Sequence, residues 1–264
     1  MTGGLVTLDL GNSALKLRRW EIEGSGPARL VRSGALALVE ETFDSELARW
    51  LAPERGVRAG LSAVASPDVE QRVRAACASA GLALAQQLEV GVENATWTPS
   101  TLGRDRLFAA RGAWELVGQS ALVIDAGTAV TVDVLECAPA PRFLGGAIAP
   151  GPHTMARSLH QLTARLPEVE LEGAVPALGR ETLAALRSGV YHGFRGAVAG
   201  LVSELRATLH AQAPLLLTGG AAKLLLEPPF VSARLVHEPE LVHCGILAAL
   251  LDEGGAARRH GLRT

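Results

Sequence analysis

The chain has 264 residues, a formal net charge of −2 and a 48% hydrophobic fraction with few aromatic residues. That length suits two domains of moderate size, and the composition is that of an ordinary globular protein. With no Lys/Arg-rich run the sequence lacks an electrostatic footprint for nucleic acid, and no apolar run is long enough to cross a bilayer.

In chain order, Leu5–Leu10 and Leu15–Trp20 read as strands joined by the Gly11-Asn12-Ser13 turn. Arg29–Leu38 reads as a third strand, and Phe43–Leu51 as a helix capped by Asp44 or Ser45. Val57–Val64 reads as a strand. A helix runs from Ser66-Pro67-Asp68 to about Ala80, with Gly81 closing it, and Leu82–Val90 reads as a strand. A linking helix covers about Arg104 to Val117, with Leu107, Ala110, Trp114 and Val117 on one face.

The second half repeats the opening, with strands at Ala121–Ile124, Thr131–Leu135 and Arg142–Ala149. Pro152–Leu162 reads as a helix, and Arg180 to about Ala211 as a long one with glycines at 189, 193, 196 and 200. A strand at Leu215–Thr218, a helix at Ala221–Leu226, a strand at Leu235–His237 and a helix at Glu240–Leu251 close the chain. Ala140–Pro141 and Glu170–Pro176 read as loops. Three strands followed by alternating helix and strand, twice over, resembles the actin-like ATPase and sugar-kinase superfamily. The expected fold is α/β: two ribonuclease-H-like domains, residues 1–114 and 115–264, facing a nucleotide cleft.

Two stretches share one plan. Val6 to Ser13 and Val123 to Ala129 each run as apolar strand, Asp, any residue, Gly, small polar residues. An aspartate at a strand end can hold a metal beside a polyphosphate, directly or through water. The glycine turn lets backbone N–H groups approach phosphate oxygens. In Asp9-Leu10-Gly11-Asn12-Ser13-Ala14-Leu15-Lys16, Asp9 would hold Mg²⁺, Asn12 and Ser13 would add hydrogen bonds, and Lys16 would point toward phosphate. Gly-Asn-Ser also makes a good plain hairpin turn; the matching turn at Asp125-Ala126-Gly127-Thr128 favours function. Lys16 and Lys223 are the only lysines. That bias fits genome composition in general, yet it leaves one lysine beside the first turn.

Gly103-Arg104-Asp105-Arg106 opens the linking helix. An Asp in a first turn is often only a dipole partner. Here Asp105 could accept a hydroxyl proton and Arg106 could pair with a carboxylate. The helix N-terminus is expected to lower the Asp105 pKa. Gly145-Gly146-Ala147-Ile148-Ala149-Pro150-Gly151 suits either ligand contact or close strand–helix packing. Leu217-Thr218-Gly219-Gly220 would suit an adenosine-contacting turn.

Other candidates carry less. Cys77, Cys137 and Cys244 are too scattered for a disulfide framework or a zinc site, so reduced thiols are expected. His237, His243 and Cys244 fit no standard metal spacing and read as core or surface residues. His153 and His160 suggest no partner. Ser158 and Ser188 lack a nucleophile elbow. The N-terminus enters a strand with no leader pattern, so a cytoplasmic location is expected.

At these motifs the chain resembles the type III pantothenate kinase family, from about Leu5 to Leu250. The resemblance implies ATP-dependent phosphorylation of the pantothenate 4′-hydroxyl, the first step of coenzyme A synthesis, with Mg²⁺, a monovalent cation (K⁺ or NH₄⁺) and a homodimer. It assigns Asp9 to Lys16 to the ATP loop and Gly103, Arg104, Asp105 and Arg106 to pantothenate, with Asp105 as base. It makes Asp125 the K⁺ ligand, Thr128 an ATP contact, and Thr182 a residue reaching pantothenate across the dimer interface beside a dimerisation helix. Two positions depart from the family pattern. Thr96, with Trp97 beside it, stands where a tyrosine is usual, and Arg104 stands where a small residue is usual. A non-catalytic accessory relative, or another actin-like kinase for a sugar or acetate, would be the rival readings. Retention of Asp9, Lys16, Asp105 and Asp125 opposes the first; the absence of long insertions opposes the second.

Overall fold

The computed structural model describes residues 2–24, 26–171, 175–209, 212–226, 230 and 234–253. The opening strands are β1 (Thr2–Leu10), β2 (Ala14–Glu23) and β3 (Ala28–Ala37). They are followed by α1 (Phe43–Leu51), β4 (Arg58–Ala63), α2 (Pro67–Ser79) and the short β5 (Ala83–Leu84). These strands form one sheet in the order β3-β2-β1-β4-β5, with β1 antiparallel to β2 and parallel to β4. Alternation along β1 sends Val6, Leu8 and Leu10 into a core shared with Leu47 and Leu51 of α1 and Val73 and Cys77 of α2. Thr7 and Asp9 take the opposite face.

Next come β6 (Glu93–Asn94), α3 (Arg104–Val117), β7 (Ala121–Ala126), β8 (Ala129–Cys137), β9 (Pro141–Pro150) and α4 (Pro152–Leu162). They are followed by α5 (Thr182–Arg206), β10 (Leu215–Thr218), α6 (Lys223–Leu226), β11 (Leu235–His237) and α7 (Leu241–Glu253). The second sheet is ordered β11-β10-β7-β8-β9-β6. Its core joins Leu122, Ile124 and Ala126 of β7 to Val190, Phe194 and Val198 of α5. Among the described residues no helix is long and apolar enough to cross a membrane.

The two compact units are not the two halves of the chain. One comprises Met1–Gly118, Cys137–Phe143 and the segment from Glu240 onward; the other comprises Gln119–Glu136 and Leu144–Pro239. The closing helix, read from sequence with residues 115–264, thus packs in the first unit. Leu241 to Leu250 are all buried, the mark of a helix surrounded on every side. It crosses α3 backbone to backbone. A Cβ on Gly245 would collide with the Phe108 carbonyl, and one on Gly112 with the Leu241 carbonyl.

Several sequence expectations shift. Leu82–Val90 forms ladder pairs only at Ala83–Leu84, because arginines take the later carbonyls: Arg104 Nη2 donates to Leu88 O (2.6 Å) and Arg111 Nη1 to Val90 O (2.8 Å). The N-cap of α1 is Thr42, not Asp44 or Ser45; the Ser45 hydroxyl donates back to Thr42 O (2.9 Å). In α3 the run Phe108–Ala113 is buried, while Leu107, Trp114 and Val117 are half-buried, because α7 covers a broader face than the stripe implied. The long helix ends at Arg206; Ala211 lies outside the described residues, as do residues 172–174 of the expected 170–176 loop.

Candidate functional site

In the first unit, Asp9 ends β1 beside Lys16 on β2. The Asp9 carboxylate is 7% exposed, and its Oδ2 lies 3.8 Å from Lys16 Nζ. The turn between them is closed by Gly11 N–H donating to Ala14 O (3.0 Å), and Leu38 N–H donates to Ser13 O (3.0 Å). Asn12 and Ser13 are exposed at the tip. Leu10 and Leu15 are wholly buried, so their side chains serve the core and only their backbone is left to face a ligand.

The end of this turn meets the opening of α3. Val64 N–H donates to Leu10 O (2.9 Å), and Gly103 lies where a Cβ would stand 3.2 Å from Val64 Cγ1. Gly103 is the N-cap of α3, and Asp105 occupies the first turn with Oδ1 accepting from Arg106 N–H (2.8 Å). The same oxygen folds back over Gly103 Cα, where a side chain would strike it. Burial raises the Asp105 pKa above the ordinary carboxylate value, outweighing the Arg106 N–H and the charges of Arg106 and Lys16. This corrects the expectation that the helix terminus would depress it. The backbone N–H groups do lower it, but desolvation by burial is the larger effect. The Arg106 guanidinium lies over the Phe143 ring at 5.2 Å, and that of Arg104 over Phe108 at 5.4 Å.

In the second unit two glycine-containing segments converge on the Asp125–Thr128 turn. Gly127 N–H donates to Ala129 O (3.0 Å) to close the turn. The Thr128 carbonyl accepts from Gly151 N–H (3.0 Å) and from Thr154 Oγ1 (2.6 Å). Gly151 packs so closely on Gly127 and Thr128 that a Cβ would collide with their carbonyls, so Gly145–Gly151 supplies close packing. Gly219, at φ +94°, presents its Cα face to the second turn. A Cβ there would sit 2.5 Å from both Asp125 Oδ1 and Ala126 O. Ala221 N–H donates to Ala126 O (2.8 Å). Thr128 and Thr182 are exposed, the latter as the first residue of α5.

Asp133, 1% exposed, was not singled out from sequence. Register puts it on the face of β7 and β8 that carries Asp125 and Thr131. Thr131 Oγ1 donates to its Oδ2 (3.0 Å), and Gly146 packs against it. The signal was a carboxylate inside an apolar strand, Thr131-Val132-Asp133-Val134.

The described residues hold no group of three or more His, Cys, Asp or Glu able to bind a metal. His160 Nδ1 instead meets Leu166 O (2.8 Å). All three cysteines are free, and burial pushes the Cys77 thiol up to about 11.

A family model described as type III pantothenate kinase matches residues 5–204. A type III pantothenate kinase from Porphyromonas gingivalis is 32% identical over 247 residues, covering 90% of this chain and 94% of that protein. Among solved structures, a Baf-family protein from Campylobacter jejuni, titled as a transcriptional activator, superposes with a TM-score of 0.58 at 17% identity, covering 95% of this chain and 98% of that one. A candidate 2-dehydro-3-deoxygalactonokinase from Sinorhizobium meliloti gives 0.52 at 16% identity, covering 94% and 96%. At those identities the structures speak for the fold alone.

Proposed function

This chain belongs to the type III pantothenate kinase family, with the actin-like ATPase and sugar-kinase fold; it phosphorylates pantothenate with ATP in coenzyme A biosynthesis, and we propose that Asp105 is its catalytic base. The observation that carries this assignment is the placement of Asp105 in the first turn of α3, within the electrostatic reach of Lys16 and with a raised pKa. A raised pKa makes a carboxylate a better acceptor for an alcohol proton.

In the proposed reaction Arg106 pairs with the pantothenate carboxylate, and Gly103 and Arg104 complete that stretch. The acceptor hydroxyl oxygen attacks the γ-phosphorus, the bond to the β,γ-bridging oxygen breaks, and ADP leaves. The hydroxyl proton passes to Asp105. In a loose transition state little proton transfer is needed before the phosphoryl group moves, so orienting the hydroxyl is a large part of the contribution of Asp105. The turn from Asp9 to Lys16 takes the ATP phosphates, with Lys16 as the cation, and Thr128 adds an ATP contact.

The donor sets fit the cations that the family implies. Asp9 offers a hard, buried carboxylate without a closed cage, as suits Mg²⁺ that keeps waters and phosphate oxygens as its other ligands. Asp125 Oδ1 and Ala126 O lie together against the Cα face of Gly219, two oxygens of the kind that would hold K⁺ or NH₄⁺. When bound, these ions neutralise phosphate charge.

A homodimer with Thr182 reaching the acceptor of the partner completes the proposal. It is supported by exposed Ile148, Leu162 and Leu178 in the same unit as α5 and by the exposure of Thr182. The charge balance and the described helices also fit a cytoplasmic enzyme.

A coupled ADP-release assay with pantothenate, Mg²⁺ and K⁺ tests the function. Pantothenate-dependent ADP release, absent without the acceptor, is expected; a folded sample giving only background release overturns it.

A further inference from the structure

The face of the first sheet that carries Thr7 and Asp9 holds two polar rungs. Strand register aligns Arg18, Thr7 and Gly60 on β2, β1 and β4, and Lys16, Asp9 and Ser62 on the next rung. The start of α7 lies against them. Glu240 accepts from Arg18 Nε (2.5 Å), and His243 Nδ1 is 2.8 Å from Thr7 Oγ1. Trp20 Nε1–H donates to the same hydroxyl at 2.9 Å.

One of these contacts has a fixed direction. An indole N–H can only donate, so Thr7 Oγ1 accepts from Trp20. A hydroxyl can donate one hydrogen bond and accept a second, so the bond to His243 Nδ1 runs in the direction the imidazole tautomer sets. Burial, with the charges of Arg18 and Lys16, holds the His243 pKa well below its ordinary value, so the ring stays neutral. Its role is a fixed hydrogen bond and not a charge.

The arrangement is costly. His243 is 2% exposed in a helix otherwise lined by apolar residues, and among the described residues neither its Nε2 nor Ser62 Oγ has a hydrogen-bond partner. A buried polar atom left unpaired lowers stability by its full desolvation penalty. An apolar residue at 243 would avoid that cost. Features that lower stability in this way concentrate where a site needs fixed geometry.

We propose that His243 is a positioning residue for the nucleotide turn. Acting through Thr7, two residues before Asp9 on the same strand and face, it fixes the end of β1 that carries Asp9 and leads into the Gly11 turn, and so sets the affinity for Mg·ATP. The proposal rests on the assignment of Asp9–Lys16 to ATP.

The test is calorimetric Mg·ATP binding without acceptor, together with steady-state kinetics. His243→Leu and Thr7→Val are each expected to weaken Mg·ATP binding about 10-fold, with the double variant little worse than either, as coupled neighbours behave. The pantothenate KM is expected to stay at its wild-type value. His243→Asn, whose side-chain amide can pair with the Thr7 hydroxyl in either direction, and Thr7→Ser, which keeps the hydroxyl, are expected to recover most of the affinity. Lower melting temperatures with wild-type Mg·ATP affinity would show a merely structural bond and overturn the proposal. If His243→Leu fails to fold, the Thr7→Val and Thr7→Ser pair decides by the same criterion. Wild-type protein that fails to bind Mg·ATP overturns the assignment of the turn itself, a result distinct from equal binding by all variants.

Discussion

The Asp105 carboxylate lies over the Cα of Gly103, so that the N-cap glycine of α3 and the carboxylate two residues later occupy one another's space. Gly103 has φ −61°, a value open to any residue. The glycine is required by the carboxylate and not by the backbone.

Gly103→Ala should therefore act on catalysis more than on folding. The added methyl displaces Asp105 Oδ1, and a displacement of about 1 Å at a reacting group costs up to 10²-fold in rate. We expect kcat to fall 10-fold or more, on the order given by that estimate, with little change in melting temperature. Unchanged kcat would place the carboxylate elsewhere during turnover.

Asp105→Asn should separate activity from stability. Without a proton acceptor, kcat is expected to drop on the order of 10²-fold or more, with Mg·ATP binding retained. The folded carboxyl holds its proton to higher pH than the unfolded one. Its contribution to stability is thus fully present below the unfolded pKa and is lost as pH rises through the folded pKa. Above the folded pKa the ionised group is a burden that asparagine removes, so there the variant should melt higher than wild type, with the difference shrinking in acid. Thermal melts across pH check this. The same raised pKa should shift the acid limb of the kcat/KM profile above the ordinary carboxylate range.

Potassium should activate and sodium should do so poorly. Gly219→Ala should remove that distinction, because its Cβ would collide with Asp125 Oδ1 and Ala126 O and displace them. The positive φ adds strain of about 1–3 kcal/mol. Rates in K⁺, Na⁺ and a K⁺-free, NH₄⁺-free buffer of matched ionic strength measure the effect. Equal wild-type rates in all three would remove the cation site from the proposal.

Composite sites predict complementation. Co-expressed Asp105→Asn and Thr182→Ala chains would form mixed dimers with one intact site each. Half of random dimers are mixed, so about a quarter of wild-type activity should return at low pantothenate. Activity no higher than that of the separate variants, or a monomeric active enzyme by light scattering, would count against the dimer.

Local chemistry made much of this legible in the sequence. The Gly11–Ser13 hairpin, the helix spanning Phe43–Leu51 and the α3 boundaries follow from turn residues and periodicity that act within a few positions. What escaped depends on distant partners. Nothing near Leu88 or Val90 announces that Arg104 and Arg111 will take their carbonyls. Helix α7 is apolar on every side, so no stripe pointed to the unit it joins. The Asp105 pKa was misjudged because its dipole is local and its burial is not.

The crossing of α3 and α7 has a consequence for synthesis. Gly112 and Gly245 bring the two helices into backbone contact across more than half of the chain, and α7 is the last described element. The unit that holds β1 therefore cannot be finished until α7 has been made, whereas Gln119–Glu136 and Leu144–Pro239 leave the ribosome before α7 as one unit's worth of chain. Since domains fold as units during synthesis, the inserted unit should acquire its core first. The strand that carries Asp9 would wait, incompletely covered, for a helix made more than two hundred residues later.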